Sequence, residues 1–420
     1  MAQTRQEALS SQNDALLDSC TSHRLGPTEF WYRIEDGEAA IVFCESEEKR
    51  LVVPEALGGA PVTAIADNAF SDLAGIESVA MPATLRTIGA QAFARCLNLR
   101  SVDAGQSLES IGEGAFRGCP RLIGLSFPKT LSHIGSSAFS NTVIERVAIP
   151  AACTRIDVDA LCTGPSFPGS IGLAYASSLV EITVSPDNPA YCMEGGVLCR
   201  TLPGGSLEAI LCPARAGTVS LTSRVEHVIA STFAGTCAID HLAIDESTVF
   251  CDTSDLLPSG SCGRLTVVFS APRENAASLT LEMPKGNPQK QVLACALSQG
   301  RIHPETLARA YDEAIARLED ELEKTRLMAA RLASPTLLDK RTGEEFRLTL
   351  DGAFASLCAH AGARNDWATL DNLMEAGVLN AERAPEAIDV LNRFGFTLAA
   401  AHVMSEKEKR FGGTLIDYAI

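Results

Sequence analysis

No apolar run in this chain of 420 residues approaches the ~20 needed to span a bilayer, so no membrane-crossing helix is expected. The short motifs of common chemistry are missing as well. There is no G-x-x-x-x-G-K-[ST] phosphate loop, no H-E-x-x-H metal helix and no G-x-S-x-G nucleophile turn. Fourteen cysteines are present, yet none forms a C-x-x-C pair, and two close pairs are what make a zinc site persuasive. Cys192, Cys199 and Cys212 are therefore read as structural thiols. Cys358-Ala-His360 falls in a helical pattern, where residues two apart do not share a face, which argues against a nucleophilic pair. The seven histidines are scattered. His133 and His241 fall at variable repeat positions and are expected as solvated surface residues. No catalytic, cofactor-binding or metal-ligating residue is assigned, and no enzyme is expected.

Positive charge is the other deficit. Lys and Arg number 35 against 52 Asp and Glu, a formal charge of −17. An acidic surface repels phosphate backbones, so neither nucleic acid nor membrane insertion is an expected partner mode. The opening residues lack the apolar core of a secretion signal, which predicts a cytoplasmic protein with reduced thiols. The alternative is a surface or secreted adhesin whose export signal is missing from this sequence.

What the chain has in abundance is self-similarity. Ile65-Ala-Asp-Asn-Ala69-Phe70, Ile88-Gly-Ala-Gln-Ala92-Phe93, Ile111-Gly-Glu-Gly-Ala115-Phe116 and Ile134-Gly-Ser-Ser-Ala138-Phe139 step by 23 residues. Val62, Leu85, Leu108 and Leu131 keep the same step, and so do Ile76, Leu99 and Leu122. A fixed period in this range with leucine-type positions is the mark of a leucine-rich solenoid. Each unit offers a short strand of the Ser78-Val79-Ala80-Met81-Pro82 kind, then a turn of helix ending in Ala-Phe. The glycine after Ile88, Ile111 and Ile134 is expected to serve a backbone bend. Stacked phenylalanines at 93, 116 and 139 are expected to share one buried row.

The expected fold is α+β: a solenoid of short parallel strands with 23-residue repeats, followed by an all-α C-terminal region. Residues 1–29 form a polar leader with a short helix over Gln6–Leu17. Residues 30–270 hold the solenoid and its N-terminal cap, the cap opening on a hairpin that turns at Asp36-Gly37. Ile156-Asp-Val-Asp-Ala160-Leu161 is a fifth copy with leucine in the Phe place, and the pattern resumes at Val225–Phe233. Leu265–Phe269 reads as the last strand.

These residues resemble the BspA-like leucine-rich repeat family. Its repeat, roughly L-x-x-I-x-I-P-x-x-V-x-x-I-G-x-x-A-F-x-x-C, is matched twice over residues 76–119, Cys96 and Cys119 included. The lead-in Ile34–Ile65 and the unit Asn188-Pro-Ala-Tyr191 … Ile210-Leu-Cys-Pro213 also match, so the resemblance spans about 30–270. Family members are often secreted adhesins, and the absence of a leader departs from that.

Pro, Asn, Gly and Lys over 271–290 suggest a linker. Residues 291–420 then turn helical. Pro304–Ala333 carries an apolar stripe and is expected to pack on the chain's own Phe354, Leu357, Leu370 and Leu373, giving a monomer; a dimer through 304–333 is the alternative. Glycines at 362, 377, 395 and 412 close helices over Leu350–Ala361, Asp366–Ala376, Pro385–Phe394 and Thr397–Arg410. The stretch from Asn365 to Gly377 resembles ankyrin-type helix steps, without the Thr-Pro-Leu-His signature.

With chemistry absent, function falls to surface. Side chains alternate on a strand, so residues between buried positions form a column: Ser78, Ala80, Ser101, Asp103, Gly124, Ser126, Arg146, Ala148, Glu181, Thr183, His241 and Ala243. Small side chains without aromatics predict a flat contact. The expected function is a non-enzymatic protein–protein interaction scaffold, with this column as its candidate partner-binding surface.

Overall fold

A computed structural model describes residues 20–157, 159–161, 178–229, 232–233, 236, 238–251, 261–273, 276–284, 289, 292, 297–298 and 300–411. The expected helix over Gln6–Leu17 lies outside them. The chain divides into two compact units. One comprises Met1–Ala216, Arg224–Ala238 and Leu257–Gly260; the other comprises Gly217–Ser223, Ile239–Leu256 and Ser261–Ile420.

The first unit begins with three antiparallel strands, Thr21–Leu25 (β1), Thr28–Glu35 (β2) and Glu38–Ser46 (β3). Asp36 and Gly37 hold the β2–β3 turn at φ 52° and 81°, the left-handed pair that a two-residue hairpin turn demands. Strand β1 falls within the expected leader and corrects it: Gly26, at φ 62°, reverses the chain so that Thr21–Leu25 pairs with β2.

From β3 the chain winds as coils that alternate between two ladders. One ladder runs through Arg50–Val52 (β4), Ser78–Ala80 (β7), Ser101–Asp103 (β9) and Gly124–Leu125 (β11), all parallel. The other continues the cap, from β3 through Ala60–Ile65 (β6), which also pairs Ala56–Leu57 (β5), to Thr87–Ile88 (β8), Ser110–Ile111 (β10), His133–Ile134 (β12) and Arg155–Ile156 (β14). Leu51, Val79 and Val102 point inward from the first ladder, and Ile65, Ile88, Ile111 and Ile134 from the second.

Between the ladders stands the phenylalanine row. Phe70, Phe93, Phe116 and Phe139 are buried, with successive ring centroids 4.9, 5.4 and 5.7 Å apart and planes within 15°. Offset stacking of this kind adds about 0.5–1.5 kcal/mol per pair beyond area burial. Leucine at 161 supplies no ring, so the row stops at Phe139.

The expected turn of helix before each Phe is instead a pair of tight turns. Residues two before Phe (Asn68, Gln91, Gly114, Ser137) and two after (Asp72, Arg95, Gly118, Asn141) all have φ between 53° and 75°. Left-handed backbone at both places breaks any helix and aims the amides between them along the stack. Phe70, Phe93 and Phe116 N–H thus donate to Ala92, Ala115 and Ala138 O at 2.8–2.9 Å, one coil onward. Cys96 and Cys119 donate their thiols backward to Phe70 and Phe93 O at 3.2 and 3.1 Å.

The glycine that follows Ile88, Ile111 and Ile134 serves proximity, not bending. A Cβ on Gly89, Gly112 or Gly135 would lie 2.5–2.7 Å from atoms of the preceding coil. No side chain fits there, so glycine sets how closely coils stack.

After β14 the Asn188-Pro-Ala-Tyr191 unit closes the stack. Asn188 Nδ2 donates to Pro150 O and Cys153 O at 2.7 and 2.9 Å, while its Oδ1 accepts the amides of Ala190 and Tyr191. The Ile156 amide donates to Tyr191 Oη at 2.8 Å. Beyond it, Arg146–Ile149 (β13) pairs in parallel with Glu181–Val184 (β15). Tyr191–Glu194 (β16), Val197–Thr201 (β17) and Leu207–Leu211 (β18) form an antiparallel meander, and β18 pairs in parallel with Val225–Val228 (β20).

The second unit joins a four-stranded sheet to six helices. Its strands run in the order Arg215–Leu221 (β19), Ala238–Asp245 (β21), Ser261–Arg273 (β23), Ala276–Glu282 (β24). Two expectations are corrected here. Leu265–Phe269 belongs to a thirteen-residue strand that is not the last, and the expected linker 271–290 contains β24. Leu279 and Leu281 of β24 are buried opposite Val267 and Leu265.

The helices are Pro304–Ala316 (α1), Glu321–Ala333 (α2), Lys340–Arg364 (α3), Trp367–Glu375 (α4), Ala384–Arg393 (α5) and Thr397–Phe411 (α6). The single helix expected over 304–333 is two, because Asp320 turns its carboxylate onto the amides of Leu322 and Glu323 at 3.0 Å and starts a new helix. Asp339 does the same to Thr342, so α3 begins ten residues before the expected Leu350. Of the stripe residues, Leu307, Tyr311, Ile315, Ala329 and Leu332 are buried within the unit and Leu318 and Leu322 half-buried, and α2 packs on α3 and α4. Phe354, Leu357, Leu370 and Leu373 are buried as expected. Glu282 ties the helices to β24: its carboxylate accepts from Arg326 at 2.7 Å, and its backbone carbonyl accepts from Tyr311 Oη. Among the described residues no helix is long and apolar enough to cross a membrane.

Candidate functional site

The candidate column divides among three sheets. Ser78, Ala80, Ser101, Asp103 and Gly124 share the four-stranded ladder β4-β7-β9-β11, and Ser126 extends its last strand. Arg146, Ala148, Glu181 and Thr183 lie on the β13–β15 pair, where Arg146 Nε meets Glu181 Oε2 at 3.3 Å. His241 and Ala243 sit on β21 of the second unit. The continuity breaks after β11 because one residue is missing between Phe139 and Ile144, which sets β13 only 22 residues after β11.

His241 is half-buried, not solvated. Its Nε2 lies 2.9 Å from Thr266 Oγ1, which in turn meets Thr280 Oγ1 at 2.9 Å; burial, then nearby Arg264, pushes its pKa below the ordinary histidine value. His133 is likewise half-buried, between Ser110 Oγ at 3.3 Å and Asp157 Oδ2 at 3.1 Å. Both correct the expectation of free surface residues. Among the described residues no three His, Cys, Asp or Glu side chains converge as metal ligands would. Burial pushes the thiols of Cys153, Cys212 and Cys262 up to about 11 and those of Cys199 and Cys358 up to about 12. That is the character of core thiols, not nucleophiles.

What the first ladder builds is a groove of about 840 Å³. Its floor is the row Arg50, Ser78, Ser101, Gly124 and the parallel row Ala80, Asp103, Ser126, on strands held in register by pairing, with Val52 paired to Ala80 at its edge. Val79 and Val102 lie beneath, so the floor rests on the core. Arg50 and Val52 were not in the sequence-derived column. Their signal was present all the same: Pro54 follows Arg50 by four residues, as Pro82 follows Ser78 and Pro128 follows Gly124. The step from β4 to β7 is 28 residues and hides the match.

One rim is formed by residues just before the strands. Backbone amides chain Lys49 to Glu77, Arg100 and Ile123 in order. Lys49 Nζ pairs with Glu77 at 3.0 Å, and Arg121 donates to Asn98. The Lys49 hydrogen bond and charge, with Arg100 and Arg121 nearby, hold the Glu77 carboxyl below the usual range. Val52 and Ile123 are exposed at 57% and 62%, large for apolar side chains.

Residues 42–164 match the model of the BspA type leucine-rich repeat region in six copies. No curated protein sequence matches the chain. Among solved structures, it is similar to a leucine-rich cell surface protein from Faecalibacterium prausnitzii at 19% identity, over 58% of this chain and 76% of that one, with a TM-score of 0.36. A T. pallidum leucine-rich repeat protein is 27% identical over 37% of this chain and 78% of that one, TM-score 0.33. A leucine-rich repeat protein from Bacteroides ovatus is 16% identical over 61% and 71%, TM-score 0.35. With its 23-residue period, its phenylalanine row and its paired ladders, the segment 42–164 is a BspA type leucine-rich repeat region.

Proposed function

We propose that this chain is a non-enzymatic scaffold that holds a protein partner against the groove of β4, β7, β9 and β11. One observation carries the reading: a pleated face of exposed small side chains, flanked by exposed Val52 and Ile123, rests on a stacked core. Such a floor lets another backbone approach closely and keeps its shape while doing so. Binding then costs little reordering. The absence of large aromatic anchors predicts a modest affinity. The buried, poorly reactive thiols suit a reducing cytoplasm. The stripe over 304–333, covered within its own unit, favours a monomer over a dimer built on it.

The test is site-specific photo-crosslinking in cells of the source organism. A crosslinking amino acid at Ser101 should yield a discrete adduct with one protein. The same group at Arg117, exposed but outside the groove, should not. No adduct at Ser101, or equal adducts at both places, would sink the reading.

A further inference from the structure

We propose that the segment held in this groove is acidic: an extended, carboxylate-bearing stretch of a partner protein laid across the four strands. The inference rests on the groove being the interaction surface and adds the chemistry of its occupant.

The argument is charge placement. The chain carries 52 acidic residues and 35 basic ones, yet the rim of the groove reverses that balance, with Lys49, Arg100 and Arg121 gathered around Glu77. Lys49, Arg50, Arg100 and Arg121 stand on the groove's floor and rim against Glu77 and Asp103. Glu77 is already paired with Lys49, and Asp103 already accepts the Gly105 amide. Among the described residues neither Arg50 nor Arg100 makes an ion pair. Elsewhere on the repeats several arginines are matched: Arg95 with Asp72 at 2.6 Å and Arg86 with Glu38 at 2.8 Å across coils, and Arg155 with Asp157 at 2.9 Å two residues along its own coil. Arg50 and Arg100 thus stand beside one groove without an ion partner among the described residues, where incoming carboxylates would find them.

The remaining features favour a protein over a nucleic acid. Exposed Ile123 in the lining and exposed Val52 beside Ala80 offer apolar contact, and Ser78, Ser101 and Ser126 offer hydroxyls to a peptide backbone. Three strand steps span roughly 15 Å, the reach of about four to five extended residues. The negative charge of the whole chain would repel a long phosphate backbone while tolerating a short acidic segment.

The experiment is fluorescence anisotropy on the full chain. The probe is a fluorescein-labelled glutamate-rich peptide carrying leucines, set against versions with glutamine or lysine in place of glutamate. The glutamate peptide should bind best and weaken as salt rises, since rim charges are screened. Arg50→Glu with Arg100→Glu should weaken it by about tenfold or more without moving the thermal transition, because both side chains are exposed. Equal binding of glutamate and glutamine peptides, no binding of either, or indifference to the reversal would overturn the proposal. So would displacement of the peptide by a single-stranded oligonucleotide at lower concentration. The two levels separate at Ser101. If the reversed variant still crosslinks its partner there, the acidic occupant is wrong and the groove stands; if the unaltered chain gives no crosslink, the groove itself is wrong.

Discussion

At the scale of single residues, the account turns on Phe116. Its ring sits between Phe93 and Phe139 at 5.4 and 5.7 Å and is fully buried, so truncation removes two stacking partners and leaves a cavity. Phe116→Ala should cost about 3–5 kcal/mol by urea melts. A loss below about 1 kcal/mol would mean the row is not what holds the coils. The row itself was legible in the sequence, because a buried position that recurs at one period needs no tertiary knowledge. The roles of the neighbouring residues were not. The left-handed turns at Asn68, Gln91 and Ser137 carry no obligatory residue type, and their spacing looks helical until the backbone is seen.

The thiols give a second residue-scale test. Burial raises Cys153, Cys199, Cys212, Cys262 and Cys358, and each unit upward cuts the reactive thiolate about tenfold at a given pH. At mildly alkaline pH, exposed Cys251 should react with an aromatic disulfide reagent while these five stay silent. Denaturant should bring the count toward all fourteen. Prompt labelling of the five in the native protein would show that the core is open where it is drawn closed.

At the scale of elements, two glycines make opposite predictions. A Cβ on Gly112 would meet backbone at 2.6 Å, whereas on Gly124 it would meet Ser101 Cβ at 3.5 Å, an ordinary contact. Gly112→Ala should therefore destabilise by about 2 kcal/mol or more. Gly124→Ala should stay within about 1 kcal/mol, since glycine is a poor strand residue to begin with. Equal effects in thermal melts would undo the proximity argument. Element boundaries were less legible than element types. The break at Asp320 had a visible signal, an Asp followed three residues later by Glu323, but a continuous apolar stripe outweighed it. Strand β24 was hidden by its surroundings. Ser278-Leu279-Thr280-Leu281 alternates as a strand should, yet the prolines and glycine that follow marked the stretch as linker.

At the scale of the whole molecule, the division of the chain predicts which fragments fold. The helices of the second unit lean on β24 through Glu282, Arg326 and Tyr311, and β24 needs β23. A fragment of residues 217–420 should melt cooperatively by circular dichroism. Residues 291–420 alone, stripped of that sheet, should melt at a clearly lower temperature or show no transition. Equal melting of the two would restore a linker before the helices. The candidate surface was legible only as a column of small residues. That column crossed sheet boundaries which the 23-residue period could not reveal, and it missed Arg50 and Val52 because β4 stands 28 residues before β7. The most direct measurement is the affinity of the partner crosslinked at Ser101 for chains bearing Ser101→Trp in the groove or Arg117→Trp outside it. A groove-bound partner predicts a loss of tenfold or more, about 1.4 kcal/mol, for the first and near-wild-type binding for the second, with both melting normally. Equal affinities for the two variants would contradict the account.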